Sequence, residues 1–115
     1  MALPESGMLL RIFIGQGDRL DGKPLYEQIV LKARDLKLAG ATVIRGIMGF
    51  GAESLVHTAR FLRLSEDLPI IVELIDTEEN LNKIFPFLND NVHEGLITIE
   101  KATVIKYTHK KKEQK

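Results

Sequence analysis

Hydrophobic and polar positions along the chain fall into six blocks. Residues 8–15, Met-Leu-Leu-Arg-Ile-Phe-Ile-Gly, form a short apolar run closed by glycine, the pattern of a strand covered on most of both faces. A polar stretch containing Gly17 and Gly22 follows, and Pro24 suits the first turn of a helix, where its missing N–H costs nothing. Tyr26, Ile29, Val30, Ala33 and Leu36 then recur at helical spacing, with Lys32, Arg34 and Asp35 off that stripe and Gly40 offering a C-terminal stop. Residues 41–48 read as a second strand, in which Thr42, Val43, Ile44 and Ile47 are β-branched and Gly46 marks a bulge or a close approach. Residues 68–75 read as a third, with Pro69 at its start, where a lost ladder donor is tolerated. Asp76 and Glu79 are spaced as a capping box, and Leu81, Ile84, Phe85 and Leu88 give a second helical stripe. Pro86 lies inside that helix and predicts a kink or break at residues 83–86. After Gly95, the apolar residues Leu96, Ile97, Ile99, Val104 and Ile105 close the pattern in one or two strands.

The order strand, helix, strand, strand, helix, strand predicts an α+β, ferredoxin-like βαββαβ fold, a four-stranded antiparallel sheet with two helices on one face. The other sheet face then stays uncovered in a monomer. With strands apolar at most positions, that face predicts self-association through the sheet. Residues 50–67 fit no single element. Leu55, Val56, Ala59 and Leu62 suit a helix, whereas residues 59–64 suit a strand. So long a connection in a small domain is uncommon without a function, which favours binding or signalling.

The 115 residues suit one domain, taken as residues 1–108, followed by a basic, disordered tail at 109–115. Lysine and arginine (16) balance aspartate and glutamate (16), but with the tail's four lysines and one glutamate set aside the body holds 12 basic against 15 acidic residues. A slightly acidic body argues against a nucleic-acid groove. Cysteine is absent, which excludes disulfides, thiolate metal sites and thiol nucleophiles. No apolar run approaches the roughly 20 residues that span a bilayer, and the first seven residues lack the features of a secretion signal, so a cytoplasmic protein without membrane insertion is expected.

Candidate chemistry gathers where the second strand runs into Gly46, Gly49, Phe50 and Gly51. Glycines there leave backbone N–H groups open to an anionic or planar ligand, although a turn or bulge is the commoner use of such a pair. Arg45, Arg60 and Arg63 flank them, and a guanidinium can pair two phosphate oxygens at once, as well as sit solvated at a surface. Phe50 offers a flat face to a base, whereas Tyr26 belongs to the core stripe of the first helix. His57 is a surface histidine able to bond a ligand; His93 and His109 are remote from it, so no metal site is expected. Asp18, Arg19 and Asp21 read as a turn and helix entry. No carboxylate pair and no Ser-His-Asp order stands out, so the chain is not expected to be an enzyme.

Residues 41–51, a Thr-Val strand ending in Gly-Phe-Gly, resemble the second strand and loop base of the PII signal-transduction proteins. Leu68-Pro69 with its Ile-Ile-Val-Glu strand, the Asp-Thr-Glu-Glu helix start and the Gly-Leu-Ile-Thr-Ile-Glu strand resemble that family in order and spacing. The segments at residues 14–19, 22–26, 45–51 and 64–69 are most similar to a PII-like branch of uncharacterised bacterial proteins. The resemblance implies a homotrimer whose sheets line a central barrel. It implies adenine nucleotides (ADP, ATP, AMP or cyclic AMP) bound in clefts between subunits, with no obligatory cofactor. It also implies a loop, residues 50–67, that docks onto an effector protein or transporter. Gly49, Phe50 and Gly51 match the loop base against the nucleotide, and Gly95 matches a glycine of the phosphate-binding loop. The chain departs from the family at Val92-His93-Glu94-Gly95, which lacks that loop's lysine, and at residues 52–67, which contain no tyrosine to be nucleotidylated. Rival expectations are a metal-tolerance or chaperone-like trimer of the same topology, or a small-substrate enzyme using the intersubunit cleft.

Overall fold

The computed structural model describes residues 6–50, 68–108 and the backbone of residues 57–58. In chain order these form β1 (Ser6–Gly15), a ribbon of β2 (Arg19–Leu20) and β3 (Lys23–Pro24), α1 (Leu25–Asp35), and β4 (Ala41–Arg45). A second ribbon of β5 (Met48–Gly49) and β6 (His57–Thr58) follows, then β7 (Pro69–Asp76), α2 (Glu78–Leu81), a 3-10 turn (Asn82–Ile84), α3 (Phe85–Asn91) and β8 (Leu96–Thr103). The main sheet has the order β4-β7-β1-β8, with every neighbouring pair antiparallel. This is the expected ferredoxin-like α+β architecture, with β1 and β7 in the middle.

Alternation along the two central strands sets the layers. Leu10, Ile12 and Ile14 of β1 and Ile70, Val72 and Leu74 of β7 pack with Leu25, Ile29 and Ala33 of α1 and with Leu81, Ile84 and Leu88 of the second helical segment. Each of these leucine, isoleucine and valine side chains removed from water contributes about 1.5–3 kcal/mol, so this layer is the main source of stability. The alternate residues, Leu9, Arg11 and Phe13 of β1 and Ile71, Glu73 and Ile75 of β7, point to the helix-free face.

Local chemistry moved several expected boundaries. The first helix ends well before Gly40: Lys37 takes φ of 61°, its N–H donates to Arg34 O, and the Leu38 N–H donates to Ala33 O. These two bonds make a Schellman cap with lysine in the place glycine usually holds, closed by Leu38 packing on the core. Between β2 and β3, Asp21 (φ 52°) and Gly22 (φ 79°) form a type I′ hairpin turn, so the loop expected there is a small ribbon. The second helix is capped by Thr77, whose hydroxyl accepts from the Asn80 N–H at 3.2 Å, and not by the expected Asp76–Glu79 box. It then breaks through the 3-10 turn at Asn82–Ile84 before Pro86, where the proline predicted a break. β4 stops at Arg45 instead of running on to residue 48, and the chain ends in one strand, β8, with Val104 and Ile105 beyond it.

Asp76 lies fully buried at the far end of β7. Its carboxylate accepts from the Ala39 N–H (2.9 Å), the Thr77 N–H (2.6 Å) and Asn80 Nδ2 (2.9 Å), tying the α1–β4 connection to the start of α2.

Candidate functional site

The strand ends near Gly15, Arg45, Pro69 and Leu96 all lie at one end of the sheet, because Gly15 stands opposite Pro69, Arg45 opposite Ile70, and Phe13 opposite Leu96. At the β4 edge of that end the chain passes over Pro69. The Gly46 N–H donates to Pro69 O at 2.7 Å, and a Cβ at Gly46 would stand 2.9 Å from Pro69 Cγ. A Cβ at Gly49 would meet the same Pro69 Cγ, also at 2.9 Å. The two glycines thus share one reason to be glycine, close approach to a proline ring, which settles the choice between bulge and close approach for Gly46. Gly49 pairs with His57 across the β5–β6 ribbon, so the base of the long connection is a short antiparallel ladder. Phe50 follows with 69% of its surface exposed, beside the exposed Ile47 and Met48. Arg45 is exposed at the end of β4.

Gly51, Arg60, Arg63 and the side chain of His57 lie outside the described residues, as do the rest of residues 51–67 and the tail from 109. Gly95 stands apart from the β4-edge group. It precedes β8, on the opposite edge of the sheet, three inter-strand steps or roughly 14 Å from β4. Its φ is 153°, and a Cβ there would lie 2.5 Å from the Phe13 carbonyl oxygen. Within one chain, therefore, the structure brings together Arg45, Gly46, Gly49, Phe50 and the His57 backbone, and leaves Gly95 at the far edge.

Two residues that the sequence did not assign to the site belong to the same end. Pro69 is the partner of both glycines, and Gln16 joins β1 to β7 by donating its N–H to Leu68 O at 2.8 Å. The Gln16 side-chain Oε1 is shut off from solvent with no donor reaching it among the described residues, a costly state for an amide oxygen. Asp18 holds the turn after β1: its carboxylate accepts from the Gly15 N–H at 3.1 Å, and its carbonyl accepts from the Leu25 N–H, which opens α1. That is the expected turn and helix entry. Among the described residues no three histidines, aspartates or glutamates stand close enough to hold a metal ion. Nor, among them, is any helix long and apolar enough to cross a membrane.

The pattern of the DUF190 family, described as "Uncharacterized ACR, COG1993", matches residues 7–104. A UPF0166 protein of Aquifex aeolicus is 37% identical over 97 residues, covering 84% of this chain and 91% of that one. A UPF0166 protein of Methanocaldococcus jannaschii is 36% identical over 99 residues, covering 85% of this chain and 91% of that one. Among solved structures, CPII from Thiomonas intermedia K12 is a nitrogen regulatory PII-like protein bound to ADP, AMP and bicarbonate. It superposes with a TM-score of 0.58 at 16% identity over 86% of this chain and 88% of its own. CutA1 from Oryza sativa superposes with a TM-score of 0.51 at 14% identity, over 90% of this chain and 84% of its own. These likenesses establish a PII-like fold.

Proposed function

The chain belongs to the DUF190 family, and on that premise we propose that it is a non-enzymatic, cytoplasmic PII-like sensor that binds an adenine nucleotide between the subunits of a homotrimer. One observation carries the reading. The two glycine sites, Gly46–Gly49 and Gly95, lie at the same end of the sheet but on opposite edges, with the ends of β7 and β1 between them. A rotation that sets the β4 edge of one copy beside the β8 edge of the next would line a single cleft with both. Closed rings of identical subunits are built by such rotations. The adenine nucleotides carried by CPII support the ligand class.

In this cleft Phe50 supplies a stacking face and Arg45 pairs with phosphate oxygens. Gly51, Arg60, Arg63 and His57 are assigned to the same site from their sequence positions. A ligand held at Gly49 and Phe50 bears directly on the β5–β6 ribbon. Its differential affinity for two arrangements of residues 50–67 would then shift their populations and signal to an effector protein or transporter.

Phe50→Ala tests the site without disturbing the core, since the ring is largely exposed. Loss of base stacking of about 1–3 kcal/mol should weaken ADP binding by roughly 5- to 150-fold in calorimetric titration, with the copy number unchanged. ADP affinity equal to that of the natural chain would remove Phe50 from the site.

A further inference from the structure

The helix-free face of the sheet carries a charged network at the centre of an apolar surface. Arg11, midway along β1, stands directly across from Glu73 of β7 and diagonally from Glu100 of β8. Its Nε donates to Glu73 Oε2 at 2.9 Å, and its Nη1 donates to Glu100 Oε1. The hydrogen bond to Glu73, above all, pushes the Arg11 guanidinium further above its already high ordinary value, so it stays charged. By register the same face presents Leu9, Phe13, Ile71 and Ile75 on the central strands, with Ile44 on β4 and Leu96 on β8. The network is unfinished within one chain. Among the described residues two of the five guanidinium N–H groups are used and the second Glu100 oxygen is not; the Arg11 side chain is 36% exposed and that of Glu100 58%.

We propose that in the assembly the unspent donors of Arg11 in one copy bond to Glu100 of the next, and that this ring of guanidinium and carboxylate fixes the register and copy number of the sheet-to-sheet association. The inference rests on the self-association in the proposed function and adds what makes that association specific. The argument is charge complementarity. Each copy offers free donors on the central strand β1 and a free acceptor on the edge strand β8 of the same face, so copies related by rotation satisfy one another head to tail. A foreign apolar partner would instead bury Glu100 half-paired, a strongly unfavourable state. The apolar surround supplies adhesion, which is indifferent to register, and the charges supply the choice of register.

The test measures copy number and dissociation constant of the full chain by light scattering and sedimentation for the natural sequence, Arg11→Met and Glu100→Gln. Circular dichroism melts separate loss of fold from loss of assembly. Arg11→Met leaves two carboxylates without their cation, and its dissociation constant should rise at least about 30-fold, the ordinary effect of removing one partner of a buried charge pair. Glu100→Gln, at an exposed position and without effect on the core, should weaken assembly in the same direction and yield mixed copy numbers; should Arg11→Met fail to fold, this variant decides. Replacing Arg11, Glu73 and Glu100 together by leucine should retain association but spread it over several sizes. Single variants that fold and assemble like the natural chain would overturn this inference alone. A natural chain that is monomeric at all concentrations would overturn it together with the self-association it rests on.

Discussion

Replacing Asp76 with alanine is expected to lower the unfolding free energy by about 3–5 kcal/mol, because three donors lose their common acceptor in a site closed to water. The carboxylate receives the Ala39 N–H, the Thr77 N–H and the Asn80 side-chain amide, and no surface of the residue is exposed. Alanine neither fills the space nor accepts a bond, so the α1–β4 connection and the start of α2 lose their shared anchor together. Asp76→Asn keeps one acceptor oxygen but replaces the other with an amine that opposes a donor, so it should fall between the two. Urea denaturation at fixed protein concentration is the measurement, which holds any contribution of the proposed assembly constant. A loss below about 1 kcal/mol for the alanine variant would mean that the buried carboxylate does not hold these elements in place.

The second large effect belongs to Gly95. A methyl group there would stand 2.5 Å from the Phe13 carbonyl oxygen and 3.3 Å from both Ile14 Cγ2 and Val92 Cγ1. That carbonyl belongs to β1, bonded on both sides within the sheet, so it cannot retreat without disturbing β7 and β8. A φ of 153° adds backbone strain for any L side chain. Gly95→Ala should therefore destabilise the chain by about 3 kcal/mol or more, read as a lowered midpoint in thermal or urea unfolding. Packing alone accounts for glycine at this position. A contact with phosphate must be tested separately, by titrating the variant with ADP at a temperature where it remains folded. An alanine variant as stable as the natural chain would show that the β8 entry shifts freely.

These two residues mark where the sequence could be read and where it could not. The apolar runs of β1 and β7, the stripe from Tyr26 to Leu36 and the break before Pro86 are local signals, and each reappears in the structure, although the helix presents Leu25, Ile29 and Ala33 as its buried residues and β1 is covered by helices on one face only. The open sheet face follows from them by elimination. What escaped reading depends on partners distant in sequence or on equivalent local solutions. Lys37 occupies the left-handed cap that Gly40 was expected to supply, because the helix stops where its stripe meets the core and not where a glycine lies. Asp76 and Thr77 are both plausible caps on sequence, and only the burial of Asp76 against Ala39 assigns it to a tertiary role. The glycines were legible as a candidate site, but their shared packing partner, Pro69, lies some twenty residues on and is brought there by the β4–β7 pairing. That Gly95 and the β4-edge glycines lie on opposite edges is a property of strand order, which no local pattern encodes.

The proposed sensor function stands or falls on one titration: calorimetry of the purified chain with ATP, ADP, AMP and cyclic AMP, on material whose copy number has been fixed by light scattering. The account predicts a trimer that binds one adenine nucleotide per subunit with micromolar affinity. An intact trimer that binds none of the four would contradict it, and would mean that this PII-like fold serves a purpose unrelated to the glycine-lined edge.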